Sequence, residues 1–207
     1  MTEPVRHHRG IAAILPEDNI DTDQIIPSTE MKTVSRTGLG EGLFAGRRYS
    51  DVDRRVPVSD FVLNRPEQAG TSILISGANF GCGSSREHAV WALKDYGIRV
   101  IVAKSFGEIF YGNCLRNGVL PVKLADAEVD TLLARAGAAE LVVDLQNQWV
   151  TSPALPGWTG RFEIGSYPKR LLLEGLDPVG LTLRQQDEII RYIEADRCER
   201  PWVYSAV

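Results

Sequence analysis

Apolar and polar residues alternate along this chain in blocks that predict an α/β fold. Short β-branched and apolar runs of strand length are followed by longer stretches whose apolar residues recur at helical spacing. The predicted strands run over 72–76, 99–103 and 119–123, and the predicted helices over 85–96, 105–117 and 125–136. This βαβαβα succession indicates a parallel sheet covered by helices.

The segments on either side of this centre are less regular. A first strand is predicted at 10–15 and a loop at 16–24, and the glycine-rich, charged excursion at 29–55 has few apolar residues, which predicts a mobile loop. Later strands are predicted at 141–145, near Trp149 and Val150, and at 161–164, with helices within 165–177 and at 182–194. We therefore expect one domain, 1–207, with a C-terminal helical extension at 166–207.

Composition excludes several classes of protein. The chain has 207 residues, of which 43% are hydrophobic, and a net charge of −4, so an electrostatic nucleic-acid footprint is not expected. No apolar run is long enough to cross a bilayer and the first residues lack a signal-peptide core, which predicts a cytoplasmic protein. Cys82, Cys114 and Cys198 lie far apart without CxxC pairing, a pattern typical of neither a disulfide framework nor a self-contained metal site.

The thirteen residues GANFGCGSSREHA, at 77–89, carry the densest chemistry of the chain. They join the strand at 72–76 to a helix, and Ser84 stands three residues before Glu87, the spacing of a capping box, so the helix is predicted to begin at Ser84 or Ser85. Three glycines allow amides and hydroxyls to converge at the positive end of the helix dipole. Arg86 opposes that dipole but suits a carboxylate ligand, which predicts an anion site.

A structural interpretation of the same residues is an ordinary capped turn with a surface arginine. Familiar phosphate motifs are excluded, because the run contains neither GxGxxG nor GxxxxGK followed by serine or threonine. Asp21 and Asp23, in DNIDTDQIIP at 18–27, resemble a metal-binding DxD pair, but two carboxylates in a turn-rich segment are more often caps, and the metal interpretation is rejected.

GANFGCGSSREHA and DNIDTDQIIP, with SFGEIFYGNCLRNGVLP at 105–121, resemble the small subunits of the 3-isopropylmalate dehydratase family. Through them the chain is similar to the mobile swivel domain of aconitase-type hydro-lyases, which implies an α/β fold of three-layer β/β/α character. The likeness extends from about residue 10 to the C-terminal region, and a chain of this length that starts directly with the swivel domain is expected to be a separate subunit.

The resemblance implies a reaction and a partner. The reaction is the interconversion of 2-isopropylmalate and 3-isopropylmalate through 2-isopropylmaleate, by dehydration and rehydration, in leucine biosynthesis. A 4Fe-4S cluster on a separate large subunit accepts the hydroxide as a Lewis acid, so this chain is expected to bind no cofactor alone and to act as half of a heterodimer. The substrate is a small dicarboxylate, with no nucleic acid or membrane involved.

Site roles are also implied by matching positions. Ser84 matches the family's catalytic base, with Ser85 the less favoured base and a substrate-binding residue, and Asp23 matches an acidic residue that orients a neighbouring base. Arg86 matches the substrate-carboxylate arginine. Arg36 matches a second substrate-binding arginine of the superfamily, and Thr37 is also expected to bind the substrate. Both lie in the loop around 31–37, which matches the region that selects the substrate substituent, although a solvated basic loop is an equal alternative.

Other residues and functions remain as alternatives. His88 is interpreted as a half-buried histidine and Cys82 as a packing residue that would be a low-pKa thiol only if exposed at the helix terminus, while Cys114 reads as core. A related small subunit acting on citraconate, 2-methylmalate or homoaconitate, and a non-catalytic dicarboxylate-binding module, are the competing functions.

Overall fold

A computed structural model describes residues 3–31, 35–135 and 140–204 of this chain. A seven-stranded sheet has the order β6-β5-β4-β1-β7-β8-β9, and β2 and β3 form a separate two-stranded ribbon. The strands are β1 His7–Leu15, β2 Tyr49–Asp51, β3 Val56–Pro57, β4 Ile73–Ser76, β5 Val100–Ala103, β6 Leu120–Lys123, β7 Glu140–Asp144, β8 Trp149–Thr151 and β9 Thr159–Arg161.

Eight helices accompany these strands within the described residues. They are α1 Thr22–Ile25, α2 Ala45–Arg48, α3 His88–Tyr96, α4 Glu108–Asn117, α5 Asp126–Arg135, α6 Ser166–Glu174, α7 Pro178–Leu183 and α8 Gln186–Glu199, with short 3₁₀ turns between several of them. The order β4-α3-β5-α4-β6-α5 confirms the predicted βαβαβα centre. None of the helices in 3–31, 35–135 and 140–204 is both long and apolar enough to span a membrane.

The first strand divides the sheet into two parts. Its C-terminal half, from Ala12 to Leu15, pairs in parallel with β4, whereas its N-terminal half, from His7 to Ile11, pairs antiparallel with β7. β4, β5 and β6 continue the parallel part, and β8 and β9 continue the antiparallel part. The long strand β1 is therefore the place where one continuous sheet changes from parallel to antiparallel pairing.

Two apolar clusters cover opposite faces of the parallel strands. Leu74 belongs to the cluster under α3 and α4, whereas its neighbours Ile73 and Ile75 belong to the cluster on the other face. All three side chains are fully buried. Burial on both faces explains why these strands are continuous apolar runs and not alternating ones.

The excursion at 29–55 is anchored more firmly than its sequence predicted. Leu39, Leu43 and Phe44 are buried in the cluster beneath α3, and the Gly40 amide donates to Asp95 Oδ2 at 2.8 Å. The expectation of few apolar anchors is therefore wrong from residue 39 onward, because these side chains complete the core under the helix. Residues 32–34 of the loop lie outside the described residues.

Two later elements differ from their predicted bounds. The strand predicted at 161–164 is β9, Thr159–Arg161, because its three-residue partner β8 limits the pairing. The helix predicted at 182–194 is split between α7 and α8, because Gln185 bonds back to the Thr182 carbonyl and tightens the last turn of α7. Residue 136 of the predicted third helix and residues 205–207 of the predicted extension are outside the described residues.

The C-terminal extension is uneven in its packing. Leu171 and Leu172 of α6 are buried, whereas eight of the eleven exposed large hydrophobic side chains found among the described residues lie between Val179 and Tyr204. Exposed apolar side chains concentrated on one segment mark an interaction surface more often than a free surface.

Replacing Gly81 with alanine is expected to destabilise the fold by about 3 kcal/mol, because two penalties combine at this turn. Its φ is +74°, and a Cβ would lie 2.1 Å from Cγ of Phe110. The Phe110 ring is buried and packs edge-on against Phe80 with ring centroids 5.5 Å apart, so it has no room to withdraw. Chemical denaturation of the purified chain measures the loss.

Gly157 provides the matched control for that substitution. Its φ is +82°, but a Cβ there would meet no atom within 4 Å. Gly157→Ala should therefore cost only the backbone strain, about 1 kcal/mol. Equal losses at the two positions would show that the Phe110 contact contributes nothing.

Candidate active site

Two sequence motifs that are sixty residues apart lie side by side in the structure. The segments 17–23 and 76–86 are joined by backbone hydrogen bonds, including Asn19 N to Ala78 O at 2.8 Å and Gly81 N to Ile20 O at 2.7 Å. An isolated β-bridge continues the pairing between Asp21 and Cys82. The structure therefore brings DNIDTDQIIP and GANFGCGSSREHA together.

Ser84 is held by Thr22 across this pairing. The Thr22 amide donates to the Cys82 carbonyl at 3.0 Å, and the Ser84 amide donates to Thr22 Oγ1 at 3.2 Å. Thr22 Oγ1 also lies 2.9 Å from Ser84 Oγ. Thr22 is buried whereas Ser84 is exposed, so a fixed hydroxyl is presented to solvent from a rigid support.

The predicted capping box at Ser84 is not formed. Helix α3 begins at His88, four residues later than Ser84, and Glu87 at its N-cap position makes no side-chain cap. The Glu87 carboxylate instead accepts from Asn117 Nδ2 at 2.6 Å. The local capping signal is overridden because the pairing with Thr22 holds Ser84 outside the helix.

Arg86 forms an ion pair with Asp23. Its Nη1 donates to Asp23 Oδ1, and the arginine side chain is 27% exposed while the carboxylate is 58% exposed. Arg86 directly precedes the N-cap residue of α3, and the Asp23 carboxylate offsets its charge at the positive end of the helix dipole. The guanidinium is held by the carboxylate of Asp23, the residue after Thr22, and an exposed pair of this kind is weak enough to admit a ligand.

Asp21 and Asp23 have separate local roles, so they do not form a metal pair. Asp21 caps α1, since its Oδ1 accepts from the Gln24 amide at 2.7 Å, as the cap interpretation of the sequence predicted. The short helix α1 replaces the end of the loop predicted at 16–24. Within 3–31, 35–135 and 140–204, no group of three or more His, Cys, Asp or Glu residues could hold a metal ion.

Arg36 and Thr37 contact residues other than the serine. The Arg36 guanidinium stacks over the Trp91 ring at 4.9 Å, and Thr37 Oγ1 lies 2.9 Å from Ser35 Oγ. Among the described residues, no hydrogen bond or ion pair joins Arg36 or Thr37 to Ser84. Both line a groove of about 700 Å³ beside α3, which Glu87 also lines, and their substrate role stays a prediction.

The remaining predicted residues have simple environments. Ser85 is exposed, and its carbonyl faces Asn113 Nδ2 at 3.5 Å. His88 is half-buried and packs on Trp91, with ring centroids 4.6 Å apart, as predicted. Burial, followed by the Asp21 charge, raises the pKa of the Cys82 thiol, so this cysteine is not a low-pKa nucleophile. Cys114 is fully buried, and burial raises its pKa well above the usual value, which fits a core residue.

Thr22 is the site residue that the sequence did not reveal. The DTD run drew attention to its carboxylates, yet the buried hydroxyl between them is the group that touches Ser84. Only the pairing of the two motifs could have identified it.

Comparisons of this chain with a domain family, with two relatives and with one solved structure all lead to the same family. The profile of the aconitase C-terminal domain family matches residues 2–127. A 3-isopropylmalate dehydratase small subunit from Cupriavidus necator is 55% identical over 206 residues, covering 98% of each chain, and one from Paramagnetospirillum magneticum is 48% identical over 197 residues, covering 94% of this chain and 96% of the relative. A crystal structure of 3-isopropylmalate dehydratase from Methanocaldococcus jannaschii has a TM-score of 0.66 and 27% identity, over 91% of this chain and 99% of that chain.

Proposed function

Because this chain belongs to the family of 3-isopropylmalate dehydratase small subunits, built on the aconitase C-terminal domain, we propose that its strand-to-helix junction is half of a hydro-lyase active site. The predicted α/β swivel-domain fold is confirmed by this membership. The reaction is the interconversion of 2-isopropylmalate and 3-isopropylmalate through 2-isopropylmaleate, which serves leucine biosynthesis. A large subunit completes the site.

The observation that carries this proposal is the joint presentation of Ser84 and Arg86. The two residues are two positions apart, and each is held from the facing segment, by Thr22 and by Asp23 respectively. Arg86 offers a planar pair of donors that suits a substrate carboxylate. Ser84 Oγ, as the alkoxide, then accepts the proton from the carbon of the bound diacid, the C–H electron pair becomes the second bond of the C=C group as hydroxide leaves the neighbouring carbon, and the same oxygen returns a proton on rehydration.

The hydroxide-accepting chemistry belongs to the partner in this proposal. A 4Fe-4S cluster on the large subunit would supply a Lewis acid for the departing hydroxide. The cysteines of this chain do not suit that role, because Cys82 is half-buried, Cys114 is fully buried and Cys198 lies exposed in the C-terminal extension. This chain therefore contributes the proton-transfer and carboxylate-binding groups.

Support for a protein partner comes from the apolar C-terminal surface. Val179, at its start, lines the same groove as Arg36, so a subunit covering that surface would also reach the Arg36 loop. The three unpaired cysteines are compatible with a reducing compartment, and we place the enzyme in the cytoplasm.

Reconstitution tests this assignment. The purified chain should show no turnover of 2-isopropylmalate, and addition of a cluster-bearing large subunit should produce both a heterodimer by size-exclusion chromatography and formation of the unsaturated diacid. Rates on citraconate and homoaconitate measured in the same preparation separate this function from that of the related small subunits. Turnover by the isolated chain, or a faster rate on either competing substrate, would contradict the proposal.

A further inference from the structure

Thr22 holds its hydroxyl rigidly next to the serine. The residue is 1% exposed, its amide donates to the Cys82 carbonyl at 3.0 Å, and its own carbonyl accepts from the Ile26 amide at 3.0 Å within α1. The backbone is thus fixed on both sides. On this backbone Thr22 Oγ1 lies 2.9 Å from Ser84 Oγ.

The contacts of this hydroxyl limit where its single proton can go. Thr22 Oγ1 accepts from the Ser84 amide at 3.2 Å and lies 3.3 Å from the Ser84 carbonyl oxygen, which can only accept. When Ser84 is a neutral alcohol, it can itself donate to Thr22. When Ser84 has lost its proton, its oxygen can only accept, and the Thr22 hydroxyl is then the donor that faces it at 2.9 Å.

Burial makes this donor effective. Thr22 is shielded from water, so a hydrogen bond from its hydroxyl to a charged oxygen is stronger than the same bond in solvent. The exposed face of Ser84 remains open for the substrate. One side of the serine oxygen is therefore supported by protein while the other is free to react.

We propose that Thr22 is a positioning residue that donates a hydrogen bond to Ser84 Oγ whenever that oxygen carries negative charge. The inference rests on the proposed role of Ser84 as the base. In the step itself, the proton leaves the substrate carbon and forms a bond to the negatively charged Ser84 Oγ, while the C–H electron pair forms the C=C bond and hydroxide leaves the neighbouring carbon toward the partner subunit. The Thr22 proton stays on Thr22 throughout and turns between the Ser84 carbonyl and the Ser84 hydroxyl oxygen.

The test compares Thr22→Val with Thr22→Ser in the reconstituted heterodimer. Valine keeps the shape but removes the donor, so kcat should fall by about 10- to 100-fold, since a hydrogen bond to a charged group contributes that factor, while KM changes by less than about threefold. Without the donor the pKa of Ser84 rises, so the ascending limb of the kcat–pH profile should move to higher pH. Thr22→Ser retains the donor and should restore both kcat and the pH limb.

Further variants separate this inference from the function on which it rests. Thr131→Val is the matched control, because that hydroxyl donates to the Ala127 carbonyl in α5, away from the site. If Thr22→Val does not fold, Thr22→Ala gives the same comparison with less steric demand, and thermal melts identify variants that are merely unstable. A purely structural Thr22 would lower the melting temperature without moving the pH limb, and that result overturns the inference.

The base assignment has its own signature in the same experiment. Loss of turnover in Ser84→Ala together with unchanged kcat and pH profile in Thr22→Val overturns only the role of Thr22. Retained turnover in Ser84→Ala overturns the base assignment itself.

Discussion

Replacing Ser84 with alanine is expected to lower kcat of the reconstituted heterodimer by about 1,000-fold, which is the usual contribution of a positioned base. Alanine removes the oxygen that would accept the substrate proton but leaves the backbone bond from the Ser84 amide to Thr22 Oγ1 in place. Substrate binding and heterodimer formation should therefore persist. The absorbance of 2-isopropylmaleate measures turnover, and isothermal titration with 2-isopropylmalate measures binding.

Ser85→Ala decides between the two adjacent serines. Ser85 is exposed, and its contact with Asn113 is made by its backbone carbonyl, so the alanine variant keeps that contact. We expect a raised KM with kcat within about threefold of the wild-type value, as for the loss of one neutral hydrogen bond to substrate. A collapse of kcat in Ser85→Ala with an active Ser84→Ala would reverse the assignment. A non-catalytic dicarboxylate-binding module would lose only modest affinity in either variant.

Arg86→Lys is expected to lower kcat/KM by about 100-fold, chiefly through KM, because lysine keeps the charge but loses the bidentate geometry. The guanidinium is held by Asp23, and lysine cannot bond both this carboxylate and a substrate carboxylate in one plane. Steady-state kinetics of the heterodimer, with kcat and KM resolved separately, measures the change.

Asp23→Asn, alone and combined with Arg86→Lys, shows whether Arg86 binds the substrate or only pairs with Asp23. If Arg86 only holds Asp23, the two single variants should lose the same factor and the double variant should lose no more. If Arg86 binds the substrate, Arg86→Lys should exceed Asp23→Asn in its effect on KM. Arg161→Lys is a control, because that side chain bonds the Asn147 carbonyl at the far edge of the sheet.

The central fold could be predicted because its signals are local. β4, β5 and β6 are each buried on both faces, so their sequences are continuous apolar runs that contrast with the amphipathic helices between them. The excursion at 29–55 was misjudged for the opposite reason. Its glycines and charges dominate its composition, whereas three dispersed apolar side chains, Leu39, Leu43 and Phe44, decide its packing.

The residues of the candidate site stay a prediction, and what the sequence could not predict is how they are arranged. GSSREHA contains the serine and the arginine, but their orientation depends on a segment sixty positions upstream, and no local pattern encodes that register. The predicted capping box was wrong for this reason, since the Ser84 hydroxyl contacts Thr22 and does not cap the α3 amides. The loop residues Arg36 and Thr37 were predicted through the resemblance, and they line a groove beside α3 with no hydrogen bond or ion pair to Ser84 among the described residues.

Because β1 pairs with two different strands, its two halves can pair only at different stages of chain synthesis. The parallel half of the strand finds its β4 partner by position 76, and the segments 17–23 and 76–86 can meet soon afterwards. The other half has its partner only once β7 is made, since His7 pairs with Asp144, well after β4 along the chain. On an elongating chain the N-terminal half of β1 therefore has no partner when the segment at 76–86 has been made, and an unpaired strand edge is open to strand-to-strand aggregation.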